Sequence, residues 1–208
     1  MDRALRLGVL VSGRGSNLQA ILDAVARGSL NVEVALVACN RPGAGAVARA
    51  ERAGVPVELF SQSEYGSREA QQRAIADRLE AEGVDLVVCA GWDRIFTAEF
   101  VRRFPGRIIN VHPSLLPAFG GGLHAVRDAL AYGVKITGCT VHFVTDELDA
   151  GPVISQAAVA VLPDDTEETL AERIHVEEHR LLVEAVGLYA QGRLGVEGRT
   201  VRVKGDDN

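Results

Sequence analysis

The feature that most constrains the fold of this chain is a regular alternation of short apolar runs with longer amphipathic stretches. The apolar runs contain almost no polar residues, and they lie at Leu7–Val11, Val32–Cys39, Val55–Leu59, Leu86–Ala90 and Ile108–Val111. Continuous apolar runs are typical of strands covered on both faces, as in a parallel sheet. The stretches between them predict helices at Asn17–Arg27, Ala44–Ala53, Arg68–Glu82 and Thr97–Phe104. This order predicts the α/β class, with an open, doubly wound and mostly parallel sheet.

The pattern changes after His112, where prolines and glycines interrupt regular structure. Beyond this point we predict a short helix, two strands that pair antiparallel, a long C-terminal helix and a terminal hairpin, at Leu123–Ala131, Thr137–Val144, Val153–Val161, Thr166–Ala190 and Leu194–Val203. The segment Asp165–Glu168 predicts a capping box for the long helix. We expect one domain over 1–208, with halves at about 1–105 and 106–192 and a tail at 193–208.

Charge and apolar content exclude several classes of partner. Lys and Arg number 22 against 28 Asp and Glu, which gives a net charge of −6. A general nucleic-acid surface needs a basic footprint, so neither nucleic acid nor an acidic membrane is expected as a partner. No apolar run approaches the length of a membrane span, and nothing resembles a signal peptide, so we predict a cytoplasmic protein. The three cysteines, Cys39, Cys89 and Cys139, are interpreted as small buried hydrophobic residues.

A glycine-containing loop, Ser12–Gln19, directly follows the first predicted strand. Ser16 and Gln19 fit a capping box, which predicts a helix that begins at Ser16 or Asn17. Backbone N–H groups at such a helix start can hold an anion. The loop lacks the ending of a P-loop, and Leu18 stands where a dinucleotide site needs its third glycine. A single phosphate is therefore the favoured ligand, and an ordinary tight turn remains the alternative.

Asn110 and His112 lie two residues apart at the carboxyl end of a predicted strand, so they share a face. In an open α/β sheet this edge forms the ligand crevice, and an amide beside an imidazole can stabilise an oxyanion there. His142 and the loop Thr145–Pro152 add a strand histidine and three acids, one of which could orient His112 or move a proton. A polar pair that merely caps backbone groups, beside a solvated acidic loop, is the alternative.

One further motif, His175-Val-Glu-Glu-His179, has the spacing of a zinc-protease site on a helix. A catalytic zinc also needs a third protein ligand. After His179 that ligand would have to come from Glu184, Glu197, Asp206 or Asp207. We therefore expect no metal at this motif.

Taken together, these segments resemble the folate-dependent formyltransferases, and among them the glycinamide ribonucleotide formyltransferases of purine (IMP) biosynthesis. The resemblance extends from the first strand to about Gly192. It rests on Ser12–Gln19, Ser67–Ala70, Asn110–Pro117, Val141–Asp149 with Gly151-Pro152, and Glu178-His179. It implies a Rossmann-like fold, 10-formyltetrahydrofolate as co-substrate, glycinamide ribonucleotide as formyl acceptor, no metal, and a monomer or homodimer. The first half would be phosphate-binding and the second folate-binding and catalytic.

The resemblance also implies roles for individual residues. Asn110, His112 and Asp149 match the catalytic trio. Gly15, Ser16 and Asn17 match the phosphate site, and Glu178 matches the ribose contact. The folate contacts would come from Arg68, Arg94, Ile95, Phe96, Val144 and Asp146. Supporting positions would be His142, Thr140 and His124.

Two segments depart from the family pattern. Phe119-Gly-Gly-Gly122 is one residue longer than usual, and Asp93 places a charge beside the expected pterin wall. Three alternatives to the transferase remain: a formyltetrahydrofolate hydrolase, a methionyl-tRNA formyltransferase and a non-catalytic folate- or phosphate-binding module. The hydrolases carry an N-terminal domain, whereas six residues precede the first predicted strand here. The tRNA enzymes need a C-terminal domain and a basic surface, and neither is expected.

Overall fold

The computed structural model describes residues 3–205, which form two compact units. The first unit ends at Ile109, and its elements are β1 (Leu5–Val11), α1 (Ser16–Ala26), β2 (Val32–Cys39), α2 (Gly45–Arg52), β3 (Val57–Leu59), α3 (Gln62–Tyr65), α4 (Arg68–Ala81), β4 (Leu86–Cys89) and α5 (Ala98–Arg103). Strand β5 (Ile108–His112) starts in the first unit and ends in the second. The second unit continues with α6 (Ala125–Tyr132), β6 (Ile136–Phe143), β7 (Val153–Ala160), α7 (Glu167–Ala190), β8 (Leu194–Glu197) and β9 (Thr200–Val203).

The first unit contains parallel strands in the order β3-β2-β1-β4. Their apolar side chains are buried almost without exception in β1, β2 and β4, as expected for strands covered on both faces. Strand β3 is two residues shorter than predicted because Pro56 has no N–H to give to a ladder. The sequence pattern did not predict α3, a single helical turn.

The predicted capping box of α1 is wrong. The N-cap is Gly15, in a left-handed conformation with φ 76°, and no side chain caps the helix. Gln19 instead donates to Asp23, and its amide oxygen accepts from Arg49 of α2. The reason is tertiary: a Cβ at position 15 would lie 2.7 Å from the Cα of Ala46, so the close approach of α2 requires glycine here.

The second unit is largely antiparallel. Strands β6 and β7 pair antiparallel, from Ile136 opposite Ala160 to His142 opposite Val153. The tail forms the predicted hairpin of β8 and β9, and the long helix α7 packs on β6 and β7. The predicted α/β class, with mostly parallel strands first, antiparallel strands later and a long C-terminal helix, is confirmed.

The start of α7 differs from the prediction by one residue. Thr166 is the N-cap, and it forms a reciprocal capping box with Thr169. Asp165 serves a different purpose, since its carboxylate accepts from Leu162 N–H and pairs with the Arg173 guanidinium. That guanidinium and that N–H hold the pKa of Asp165 well below its usual range.

We expect Asp165→Asn to lower the melting temperature at pH 7 by removing the charge that Arg173 and Leu162 stabilise. Because the pKa of Asp165 is lowered in the folded state, its contribution is complete above the unfolded value of about 4 and is lost as pH falls below it. The gap in melting temperature between wild type and variant should therefore narrow below about pH 4. Thermal unfolding of both proteins from pH 3 to 7 measures this, with Asp164→Asn as the neighbouring control. A gap that stays constant with pH would exclude the charge as its cause.

The three cysteines are buried and unpaired by disulfides, as predicted. Burial raises the pKa of the Cys139 thiol to about 12, so it stays protonated at neutral pH. Within residues 3–205, no helix combines the length and apolarity that crossing a bilayer requires.

Candidate active site

The Ser12–Gln19 loop lies at the carboxyl end of β1 and is held in shape by α2. Ala46 N–H donates to the Gly13 carbonyl oxygen at 3.2 Å, and the Arg49 Nε donates to the Arg14 carbonyl oxygen at 2.9 Å. Helix α1 begins directly after Gly15, so the N–H groups of Ser16 and Asn17 belong to its first turn. A helix start of this kind favours an anion.

Asp93 does not stand as a free charge beside the expected pterin wall. Its carboxylate accepts from Asn40 Nδ2 at 2.8 Å and pairs with the Arg41 guanidinium, and its N–H donates to Ser12 Oγ at 3.0 Å. Partial burial raises the pKa of Asp93, but the Asn40 amide, the Ser12 hydroxyl and the positive charges of Arg41 and Arg94 outweigh this effect, so the pKa is lowered. Asp93 therefore ties the segment after β4 to the ends of β1 and β2.

The predicted folate residues of the first unit lie on two segments. Buried Gln72 holds 95–97 in place: its amide donates to the Ile95 carbonyl oxygen and accepts from Thr97 N–H. The Phe96 ring stacks on Trp92 and Phe100. Arg68, at the start of α4, and Arg94 are exposed, and so is Ile95. These exposed groups remain accessible to a ligand.

In the second unit, Asn110 of β5 lies beside His142 of β6. Their Nδ2 and Nε2 atoms are 3.2 Å apart, and His142 Nδ1 lies 2.9 Å from the Phe143 carbonyl oxygen. Burial lowers the pKa of His142, so the ring is neutral at neutral pH. With Nδ1–H given to that carbonyl oxygen, the Nε2 lone pair accepts one amide hydrogen of Asn110. The orientation of the Asn110 amide is thereby set.

His112, at the end of β5, faces the carboxylate of Asp149. The distance from His112 Nδ1 to Asp149 Oδ2 is 3.6 Å, and Asp149 Oδ1 lies 3.9 Å from His142 Nε2. The side chains of His112 and Asp149 are only 7% and 11% exposed. Asn110, His112, His142 and Asp149 thus form one cluster, which we call the catalytic cluster. A buried location strengthens the electrostatic interactions within it.

The remaining predicted residues of the second unit differ in their contacts and exposure. Thr140 holds the segment after His112, since its Oγ1 donates to the Ser114 carbonyl oxygen and accepts from Leu116 N–H. His124 is exposed at the N-cap of α6 without a capping hydrogen bond. In the loop after β6, Val144 is partly buried and Asp146 is exposed.

Helix α7 carries the other predicted residues. Glu178 is 4% exposed and lies on the buried face of the helix, with Ile174 and Leu181. His175 and His179 stack with ring centroids 6.2 Å apart, and burial lowers the pKa of His179. Of the possible third ligands for a zinc, Asp206 and Asp207 lie outside the described residues. Among residues 3–205, no three His, Cys, Asp or Glu side chains form a group able to hold a metal ion.

An amide, an imidazole and a carboxylate gathered in this way can stabilise an oxyanion and move a proton, which is the chemistry of acyl-type transfer. Comparison with known proteins agrees with this class: residues 5–186 match the formyl transferase family. The chain belongs to that family.

Individual relatives carry more specific names than the family as a whole. Phosphoribosylglycinamide formyltransferase of Mycobacterium tuberculosis is 49% identical over 94% of this chain and 89% of its own length. The crystal structure of glycinamide ribonucleotide transformylase 1 from Symbiobacterium toebii is 51% identical, with a TM-score of 0.95 over 99% of this chain and 96% of that chain. The trifunctional purine biosynthetic protein adenosine-3 of Drosophila melanogaster is 45% identical over 92% of this chain, which spans only 14% of that protein's length.

A formyltetrahydrofolate deformylase from Pseudomonas syringae shares the fold at lower sequence identity. Its structure has a TM-score of 0.91 and 25% identity, over 98% of this chain and 67% of that chain. The fold alone therefore does not distinguish transfer to an amine from transfer to water.

Proposed function

We propose that this protein transfers the formyl group of 10-formyltetrahydrofolate to the amine of glycinamide ribonucleotide, giving formylglycinamide ribonucleotide and tetrahydrofolate. The proposal rests mainly on the catalytic cluster, in which the contacts of His142 and Asp149 bring Asn110, His112 and Asp149 together. The relatives named as phosphoribosylglycinamide formyltransferases favour this acceptor over others.

In the proposed reaction the substrate amine attacks the formyl carbon, a new C–N bond forms and the carbonyl oxygen becomes an oxyanion. The C–N10 bond then breaks, and the proton lost by the amine goes to N10. The protein has to hold two substrates in line and supply a fixed field at the developing charge.

Asn110 and His112 would supply that field. One Asn110 amide hydrogen is taken by His142 Nε2, which leaves the second one for the oxyanion. Protonated His112 would add its positive charge. Loss of an oxyanion donor such as the Asn110 amide typically costs about 2.7–4 kcal/mol of barrier.

Asp149 would stabilise the positive charge on His112 and carry the proton from the amine towards N10, directly or through water. Its Oδ2 lies 3.6 Å from His112 Nδ1, longer than a hydrogen bond, and a small movement on substrate binding would close it.

For the substrates, the backbone of Gly15, Ser16 and Asn17 would hold the phosphate and Glu178 the ribose. Arg68, Arg94, Ile95, Phe96, Val144 and Asp146 would contact the folate. The two small molecules are the only partners proposed, and a cytoplasmic location remains a prediction from the sequence.

The test is an absorbance assay of folate product formation, with 10-formyltetrahydrofolate or its dideaza analogue, in the presence and absence of glycinamide ribonucleotide. The proposal predicts product only when the ribonucleotide is present. Equal rates without it would favour the hydrolase that the deformylase structure suggests.

The Ser12–Gln19 loop gives a further prediction. We expect Gly15→Ala to raise KM for the ribonucleotide at least about tenfold, because a Cβ at this left-handed position would meet the Ala46 Cα at 2.7 Å and displace the loop. Steady-state kinetics with varied ribonucleotide measures this change.

Gly28→Ala is the matched control for backbone strain, since Gly28 has φ 70° and open space around it. It should lower stability by about 1–2 kcal/mol and leave KM unchanged. An unchanged KM in folded Gly15→Ala would contradict the assignment of this loop to the phosphate site.

A further inference from the structure

A glycine-containing turn contacts both members of the His112–Asp149 pair. The Phe119 carbonyl oxygen lies 3.1 Å from His112 Nε2, and Gly121 N–H donates to Asp149 Oδ2 at 2.8 Å. This same oxygen, Oδ2, is the one that faces His112 Nδ1. The turn, the imidazole and the carboxylate therefore form a closed ring of polar contacts. We call residues Phe119–Gly121 the backbone clamp.

The backbone is strained at two points of this ring. Phe119 has φ 55° and Asp149 has φ 51°, and they are the two non-glycine residues with positive φ in the part of the chain that the structure describes. Side chains with a Cβ rarely adopt this conformation, and it persists only where surrounding structure holds it. Both strained residues thus belong to one set of contacts around His112.

The clamp rests on a well-anchored support. Ser114 Oγ donates to the Ala118 carbonyl oxygen at 2.6 Å, and Gln156 Nε2 donates to the Leu116 carbonyl oxygen at 3.1 Å. A Cβ at Gly120 would come within 2.9 Å of Leu116 Cδ2 and 3.5 Å of the Asp149 Cβ. The absence of a side chain at position 120 lets the turn lie directly against Asp149.

We propose that the backbone clamp positions the two reacting side chains: the Phe119 carbonyl oxygen directs the His112 ring, and the Gly121 N–H directs the Asp149 carboxylate. Both ring nitrogens of His112 then face acceptor oxygens, so a doubly protonated ring has a partner at each nitrogen. This inference rests on the proposed function, because it assigns positioning groups to that reaction.

Three variants test the clamp. Alanine disfavours the left-handed backbone conformation of residue 121 (φ 78°), which points its N–H at Asp149 Oδ2, so Gly121→Ala should disturb this hydrogen bond. Asparagine tolerates that conformation, so Gly121→Asn should preserve the hydrogen bond. Gly122→Ala is the control, since Gly122 has open space around it and no left-handed φ.

We expect Gly121→Ala to lower kcat about tenfold to a hundredfold, the scale for small misplacements of catalytic groups, with KM for both substrates changed less than twofold. Gly121→Asn should recover most of that loss, and Gly122→Ala should match wild type. A kcat within twofold of wild type in folded Gly121→Ala would overturn the inference. The inference would also be overturned if the kcat of Gly121→Ala fell while both KM values rose in parallel, and Gly121→Asn did not restore kcat.

A spectroscopic measurement needs no turnover. The chain has five histidines, so ¹⁵N-histidine labelling gives few ring signals, and His112→Gln identifies that of His112. We expect an Nε2–H resonance of His112 that exchanges slowly with water in wild type and faster in Gly121→Ala. Fast exchange in wild type would overturn the clamp even if Gly121→Ala did not fold. If wild type lacked transferase activity while this resonance behaved as expected, the proposed function would fail and the clamp geometry would stand.

Discussion

Replacing His112 with alanine is expected to slow formyl transfer at least about a hundredfold. The reason is that the positively charged imidazole stabilises the oxyanion and is the partner of Asp149, whose Oδ2 lies 3.6 Å from its Nδ1. Removal of one such electrostatic or general acid–base group costs about 10² to 10⁴ in rate. The measurement is kcat for ribonucleotide-dependent transfer under saturating substrates.

Two additional variants make this result interpretable. His112→Gln keeps more side-chain volume without the positive charge and should be nearly as slow, which separates lost chemistry from a cavity in the buried site. His175→Ala, on α7 and outside the catalytic cluster, is the histidine control and should stay near wild type. Near-normal turnover in folded His112→Ala would contradict the role given to His112.

Asp149→Asn is expected to be equally severe although it changes almost no volume. The asparagine oxygen can still accept from Gly121 N–H, so the local fold should persist. The negative charge that stabilises protonated His112 and carries the proton is lost, which predicts a fall in kcat of about a hundredfold or more with an unchanged melting temperature.

Asp128→Asn is the matched control, because Asp128 is an exposed aspartate on α6. If the kcat of Asp149→Asn were within a fewfold of the wild-type kcat, the proton would have to travel by a route that does not use this carboxylate.

Much of the fold was predictable because the relevant signal is local. The apolar runs of β1, β2 and β4 are continuous since both faces of these strands are covered, and their bounds agree with the prediction to within two residues. The N-caps of α1 and α7 were predicted wrongly because contacts outside the capping pattern decide them. Ala46 of α2 approaches Gly15 closely, and Asp165 pairs with Arg173 of α7 instead of capping the helix.

The candidate site was predictable in part. Asn110 and His112 stand out because they share a face at the end of a strand, a property that two-residue periodicity makes visible. Asp149 does not stand out from Asp146 and Glu147 by any pattern, and only the family resemblance selects it. The structure brings Asp149 to His112 and leaves the other two exposed.

The contacts of the backbone clamp could not be found from residue types, because a carbonyl oxygen and an N–H group are present at nearly every position. The only sequence signal was the unusual run of glycines at 120–122. Similarly, the sequence shows only that Asp93 places a charge beside the expected pterin wall. Its contacts with Asn40 and Arg41 depend on how the ends of β2 and β4 meet, which no local pattern reveals.

The fate of the formyl group distinguishes transfer to the ribonucleotide from hydrolysis most directly. In a single turnover with formyl-labelled 10-formyltetrahydrofolate, an excess of enzyme and glycinamide ribonucleotide, the label is separated as formylglycinamide ribonucleotide and as formate. If the protein transfers the formyl group to the ribonucleotide, nearly all the label is recovered in formylglycinamide ribonucleotide. Recovery as formate, at a rate that the ribonucleotide does not change, would contradict this transfer.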